Sequence, residues 1–214
     1  MQVHDIIQSA EIFIKDRLST DFSDGHDFDH TCRVVAHALE LCDQIPQADR
    51  QIVHLAALLH DVARPEEARS NGAVDHAAQG AVVARSFLMA NSYPHEKLER
   101  VVRCIAEHRF RSGNQPSSIE AQILFDADKL DSLGAVGIAR SFFFAARVGA
   151  RIHNSAQDAL AGMPYSCQDT AYREYLVKLS KLPDRMFTIQ AKLKARNLKI
   201  FMQHFFEQLN SEFF

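Results

Sequence analysis

The sequence predicts an all-α fold: one globular helical domain of about eight to ten helices. Three observations predict it. Apolar residues recur at three-and-four spacing in almost every segment, and clusters of Gly, Pro, Asn and Asp separate those segments. Sustained strand-like alternation and a Gly-rich phosphate loop are both absent, and no fixed internal period suggests a repeat array. With 214 residues, 47% of them hydrophobic, the chain can bury one sizeable core, and no linker marks a boundary within it. The expected domain therefore spans 1–214, with a core of about 26–140 and C-terminal helices at about 141–214 packing on it.

The helices follow in order. "VHDIIQSAEIFIKDRL" is amphipathic, and "SDGHD" breaks it. In "GHDFDHTCRV", Gly25 sits in a turn and Asp27 or Asp29 can cap the next helix, which carries His30, Arg33 and His37 along one face. "ADRQIVHLAALLHDV" ends on His60-Asp61, because Pro65 cannot continue a helix and pushes Arg64 out of helical geometry, making "ARPEE" a turn. Asp75 can cap "DHAAQGAVVARSFLM", placing His76 in the first turn, and Gly80 permits close backbone approach. "HEKLERVVRCIAEH" closes on His108, and "RSGNQPSS" is a turn. In "EAQILFDADKLDSLG", Asp128 shares a face with Ala121, Leu124 and Phe125, Asp131 lies one turn further along, and Asp126 points elsewhere, toward solvent.

The second half is less regular. "GAVGIARSFFFAARVGARI" reads as a long, heavily buried helix opening on Gly134 and Gly137, and "HNSAQDALAGMPYSCQDT" as a loop. In the long terminal helix, Met186, Ile189, Leu193, Phe201, Phe205 and Leu209 fall close to one face.

Several functions are disfavoured. No apolar run is long enough to span a bilayer, and "MQVHDIIQSAEIFIKD" lacks the features of a signal peptide, so a cytoplasmic location and no membrane partner are expected. Cys32, Cys42, Cys104 and Cys167 form no CxxC pair, which points to free thiols. A net charge of −3 without a basic stripe argues against nucleic-acid binding. The Phe-rich "SFFF" and "FMQHFF" suit a core or a homodimer surface.

The informative residues are polar ones in apolar company. An isolated His-Asp pair at a helix end reads as a histidine on the helix dipole beside an exposed aspartate. An aspartate inside an apolar stripe, such as Asp128, needs a salt bridge, a hydrogen-bond network or a metal. His30, His60, Asp61 and Asp128 together offer two nitrogen and two oxygen ligands from three helices. That set suits a first-row divalent ion: manganese, iron, cobalt, nickel or zinc.

The order H…HD…D on these residues resembles the HD-domain superfamily of metal-dependent phosphohydrolases. The blocks "GHDFDHTCRV", "AALLHDVARPEE", "DHAAQGAVVAR", "IAEHRFRS", "EAQILFDADKLDSLGAVGIAR" and "YLVKLSKLPDRM" are similar to the successive blocks of a small single-domain subgroup, across most of the chain. Where that subgroup often has a His-Phe pair, this chain has Ala171-Tyr172.

The resemblance implies hydrolysis of a small phosphorylated molecule by an ion-activated water. The expected ligands are His30, His60, Asp61 and Asp128. Members of the subgroup suggest a nucleoside or deoxynucleoside triphosphate cleaved to monophosphate and pyrophosphate. A nucleotide phosphatase or cyclic-nucleotide phosphodiesterase is the enzymatic alternative, and a non-catalytic ligand-sensing or partner-binding module the alternative of another class. Arg33, Arg64, Arg109 and Lys129 are the cations available to substrate phosphate, with Arg33 and Arg109 favoured for their forked geometry and Lys129 directed away. His76 and His108 either line the pocket of a one-ion site, the expected case, or bind a second ion. Asp131 is expected to orient a ligand or water.

Overall fold

The computed structural model describes residues 3–18, 27–109 and 115–214. The turns expected at Gly25 and at 111–114, and the ring of His26, lie outside them. The chain divides into two compact units, Met1–Asp128 and Lys129–Phe214. Helix is the regular structure throughout the described residues, and eight helices in them have ten residues or more.

The first unit holds α1 (Val3–Leu18), α2 (Phe28–Asp43), α3 (Arg50–Leu59), α4 (Arg64–Arg69), α5 (His76–Ala90), α6 (His95–Glu107) and α7 (Ile119–Leu130) as far as Asp128. Helix α3 is its centre. It packs on α1, α2 and α6, while α5 packs on α6. Ile52, Val53 and every residue from Leu55 to Leu59 are buried, the all-round apolar pattern of a helix enclosed by others.

Side-chain caps set where the helices begin. Asp27, rather than Asp29, caps α2, its carboxylate accepting from the His30 N–H at 2.8 Å. Asp49 caps α3 through the N–H groups of Gln51 and Ile52, and Asp75 caps α5 through those of Ala77 and Ala78. Replacing such a cap by Ala typically costs about 1 kcal/mol. Three helices also meet in one polar clamp. Buried Glu120 at the start of α7 accepts from the Asp49 N–H at 3.1 Å and from Arg100 of α6 at 2.8 Å. Lys97 pairs with the Asp49 carboxylate at 3.0 Å.

Pro65 does not act as expected. The segment 60–63 is a turn, and Pro65 lies in the first turn of a new helix, α4, which starts at Arg64. A first-turn residue needs no hydrogen-bonded N–H, and the fixed φ of proline suits helix initiation. Asp126 also departs from expectation: it is fully buried, not solvated.

In the second unit lie α8 (Gly134–Arg147), α9 (Ala156–Ala161), α10 (Ala171–Val177), a 3₁₀ segment (Leu179–Arg185) and α11 (Ile189–Phe213). Helix α11 packs on α8 and the 3₁₀ segment, and α10 on α8 and α9. Helix α9 occupies the stretch expected as a loop, and the Ser155 hydroxyl accepting from the Asp158 N–H caps it. His153 has an architectural place: its ring lies 4.9 Å from that of Tyr172, and its Nε2 is 2.8 Å from Asn210 Oδ1. Tyr172, at the Ala171-Tyr172 departure, is thus part of an aromatic core with Tyr175 and Phe206.

Two apolar faces were expected to be more buried than they are. Phe143 and Phe144 of α8 are exposed. On α11 the buried face is Ala191, Ala195, Met202 and Phe206, while Ile189 and Leu193 are 72% and 57% exposed and Phe201 is exposed too. Small alanines let α11 approach its neighbours, and the larger side chains that dominate the sequence pattern fall on other faces.

Gly137, the fourth residue of α8, has no room for a side chain, since a Cβ there would lie 2.1 Å from the Ser132 carbonyl oxygen. Backbone cannot yield as a side-chain tip can. Gly137→Ala is expected to lower stability by about 1–3 kcal/mol, read as a fall in melting temperature. An unchanged melting temperature would mean that the turn into α8 is built differently.

Candidate metal centre

Four histidines and two aspartates converge inside the first unit, and they come from helix ends. His30 is in the first turn of α2, behind its Asp27 cap, and His76 is the first residue of α5, behind Asp75. His60 and His108 are the C-cap residues of α3 and α6. Asp61 follows His60 in the turn before α4, and Asp128 lies late in α7. Helix α5 crosses this turn at Gly80, where a Cβ would stand 3.4 Å from the His60 carbonyl oxygen.

All six side chains are buried. Their ligand-type atoms form two groups, His30/His60/Asp128 and Asp61/His76/His108, within each of which those atoms lie within 4.8 Å of one another. Asp61 faces both. Its Oδ2 is 3.5 Å from Nε2 of His30 and 3.5 Å from Nε2 of His60. Its Oδ1 is 3.5 Å from Nε2 of His76 and 3.8 Å from Nε2 of His108. Asp128 Oδ1 lies 3.6 Å from His30 Nε2. Arg64 donates to Asp61 Oδ1 at 2.9 Å.

Hydrogen bonds at the outer ring nitrogens assign the tautomers. His60 Nδ1 is 2.8 Å from the Ala57 carbonyl, and His108 Nδ1 is 2.7 Å from that of Ile105. A carbonyl only accepts, so both Nδ1 atoms carry the proton and both Nε2 atoms present lone pairs inward. Nε2 of His60 is buried without a hydrogen-bond partner, and such an atom is costly unless something electropositive meets it. Burial lowers the pKa of His60, takes that of His108 well below its usual value and brings His76 down to about 4. At neutral pH these rings are therefore uncharged, the form that ligates metal. The donor set and its geometry fit a divalent cation.

Glu67, on α4, is the residue the sequence reading missed. Its Oε2 accepts from Arg64 at 2.8 Å and lies 2.9 Å from Nδ1 of His76, while Oε1 accepts from Arg109 at 2.5 Å. Burial works against its ionisation, but the hydrogen bonds from His76 and Arg109 and the charge of Arg64 prevail, and its pKa falls to about 2. The signal was the second glutamate of "RPEE". It becomes visible once Pro65 is read as starting a helix, which sets Arg64 and Glu67 one turn apart.

The other expected site residues are placed as follows. Arg64 and Arg109 join the cluster, but through carboxylates: both bind Glu67, and Arg64 also binds Asp61. Arg33 is half-buried one turn beyond His30. Lys129 and Asp131 belong to the second unit, where Lys129 is half-buried and buried Asp131 accepts from Arg140 at 2.5 Å. Among the described residues no helix is long and apolar enough to cross a membrane.

Comparison with known proteins gives a consistent set. The family model of the HD domain matches residues 27–133. The chain is 34% identical over 202 residues to YpgQ of Bacillus subtilis strain 168, covering 90% of this chain and 87% of that protein. The crystal structure of YpgQ in complex with ADP superposes with a TM-score of 0.76 at 28% identity, over 99% of this chain and 97% of that one. An HD-superfamily hydrolase from Bacillus thuringiensis superposes with a TM-score of 0.77 at 31% identity, over 99% and 98% of the two chains. The dihydroneopterin 2′,3′-cyclic phosphate phosphodiesterase of Methanocaldococcus jannaschii is 28% identical over 117 residues, which is 51% of this chain and 47% of that protein.

The buried neutral imidazoles make the metal-free protein acid-sensitive. A histidine whose pKa is lowered on folding contributes stability above its unfolded value, and that contribution is lost as pH falls. For His76 the window runs from 6.5 down to about 4, and His60 and His108 act in the same direction. Urea denaturation of chelator-treated protein is expected to show stability falling from pH 7 to pH 5. A flat profile over that range would contradict neutral burial of these rings.

Proposed function

The chain belongs to the HD-domain family and is a hydrolase of that superfamily, and from this premise we propose that it cleaves a phosphoanhydride of a nucleotide. The reaction we favour takes a nucleoside or deoxynucleoside triphosphate to monophosphate and pyrophosphate. Water adds to the α-phosphorus, the bond to the β-phosphate oxygen breaks, and pyrophosphate leaves. The observation that carries the reading is Asp61, whose two oxygens face two separate pairs of inward-pointing imidazoles.

In this reading His30, His60, Asp61 and Asp128 would hold one divalent ion, and His76 and His108, together with Asp61, would hold a second. One ion is the expectation from sequence; the two groups favour two. The mixed nitrogen and oxygen set suits manganese, iron, cobalt, nickel or zinc. Bound divalent ions supply an acidified water and offset charge on phosphoryl oxygens. The protein supplies the rest. Backbone carbonyls hold His60 and His108 in the ligating tautomer, and Arg64 holds Asp61 in place. Arg109 and Arg33 are the cations we assign to substrate phosphate. Support for a nucleotide comes from the ADP complex of YpgQ. The phosphodiesterase of M. jannaschii supports a second reading, opening of a phosphate diester.

A nucleotide panel tests this. The purified protein is supplied with manganese, cobalt, nickel or magnesium, and phosphate and pyrophosphate are measured separately. Pyrophosphate with monophosphate is expected, and phosphate alone would mean a phosphatase. Turnover confined to cyclic substrates would favour the diester reading. Metal uptake without turnover would favour a ligand-sensing module. Asp128→Ala is expected to abolish turnover with the melting temperature retained; undiminished activity would remove Asp128 from the site.

A further inference from the structure

We propose that Glu67 is a positioning residue that selects the ligating tautomer of His76, and that Arg109 is placed to impose the opposite one where the Glu67 carboxylate is replaced. This inference rests on the two-ion reading and concerns the second ion alone. His60 and His108 have backbone carbonyls behind them, so nothing can reverse their tautomers. His76 does not. Its Nδ1 has two neighbours of opposite kind: the Glu67 carboxylate at 2.9 Å, which accepts, and Arg109 Nη1 at 3.0 Å, which donates.

A single imidazole nitrogen cannot donate to the one and accept from the other. With Glu67 ionised, Nδ1 carries the proton and donates to Oε2, while Arg109 is satisfied by Oε1 at 2.5 Å. The His76 Nε2 lone pair then faces Nε2 of His108, 3.2 Å away, and that atom also presents a lone pair. Two lone pairs at that separation repel unless a cation sits between them. With the Glu67 carboxylate replaced, the guanidinium of Arg109 has the Asp75 carboxylate 3.8 Å from Nη1, beyond hydrogen-bond reach, and His76 Nδ1 at 3.0 Å within it. The proton moves to Nε2, donates to His108 Nε2, and the second group loses both ligand nitrogens. Arg64, which donates to the same Oε2 and to Asp61, keeps the carboxylate beside His76 and ties both halves of the device to the turn carrying Asp61. A carboxylate behind a ligating histidine is a general means of tuning a metal site, and its loss commonly weakens metal binding about 10–100-fold.

The test uses the full chain and two readouts other than activity. Nitrogen NMR of ¹⁵N-histidine-labelled, chelator-treated protein reports which nitrogen of His76 carries the proton. Titration with manganese, followed by the electron paramagnetic resonance of free ion, counts the ions bound. Wild type is expected to show the Nδ1–H tautomer and two ions. Glu67→Gln should show the Nε2–H tautomer and weaken the second ion about 10–100-fold, leaving the first unchanged. Glu67→Gln combined with Arg109→Met should return His76 to Nδ1–H and recover the second ion, which a merely structural role for Glu67 would not produce. A folded Glu67→Gln that keeps both tautomer and affinity overturns this inference and spares the two-ion reading. Failure of the double variant to recover the second ion overturns the role of Arg109. Uptake of one ion by wild type overturns the two-ion reading and this inference together. If the variants do not fold, the wild-type spectrum alone decides: a proton on Nε2 of His76 refutes the proposal.

Discussion

The structure of the first unit is organised around a buried negative charge. Asp61 is buried away from water, and Arg64 donates to its Oδ1. Four imidazoles surround it, and burial keeps His60, His76 and His108 neutral. A buried carboxylate is costly unless positive charge and hydrogen bonds compensate it. The inward-facing lone pairs of His60 and His108 suit a cation beside it.

The means of turning them is economical. Helix ends leave backbone groups unsatisfied, and in this protein four of them carry the clustered imidazoles. At the C-termini of α3 and α6 the last carbonyls fix Nδ1 of His60 and His108 and leave Nε2 facing inward. At the N-termini of α2 and α5, Asp27 and Asp75 set the first turn and with it the direction of His30 and His76.

Much of this was legible in the sequence. Period, caps and turn residues predicted the long helices; Asp128 stood out as a polar residue in an apolar stripe, and the order H…HD…D drew His30, His60 and Asp61 together with it. His76 and His108 were placed correctly at helix ends, but spacing could not say that they would share Asp61. The errors have physical causes. Pro65 both stops and starts helices, so the same residue that ended α3 in the reading opens α4 in the fold and brings Glu67 to His76. Asp126 was assigned to solvent from its helical angle relative to one stripe, yet it is buried too. On α11 the large apolar residues drew attention from Ala191 and Ala195, whose small size is what permits close packing.

The clamp of Glu120, Asp49 and Arg100 has a consequence at a distance. It pins the first turns of α3 and α7 together, while the proposed ligands those helices carry, His60 and Asp128, sit at their far ends. Each helix thus works as a ruler measured from a common origin, with each residue adding about 1.5 Å and 100°. Deleting or adding one residue between origin and ligand would swing the ligand to the wrong side of its helix while leaving composition and most of the packing pattern intact. Substitution in these two spans is tolerated by chemistry; a change in their length is forbidden by geometry.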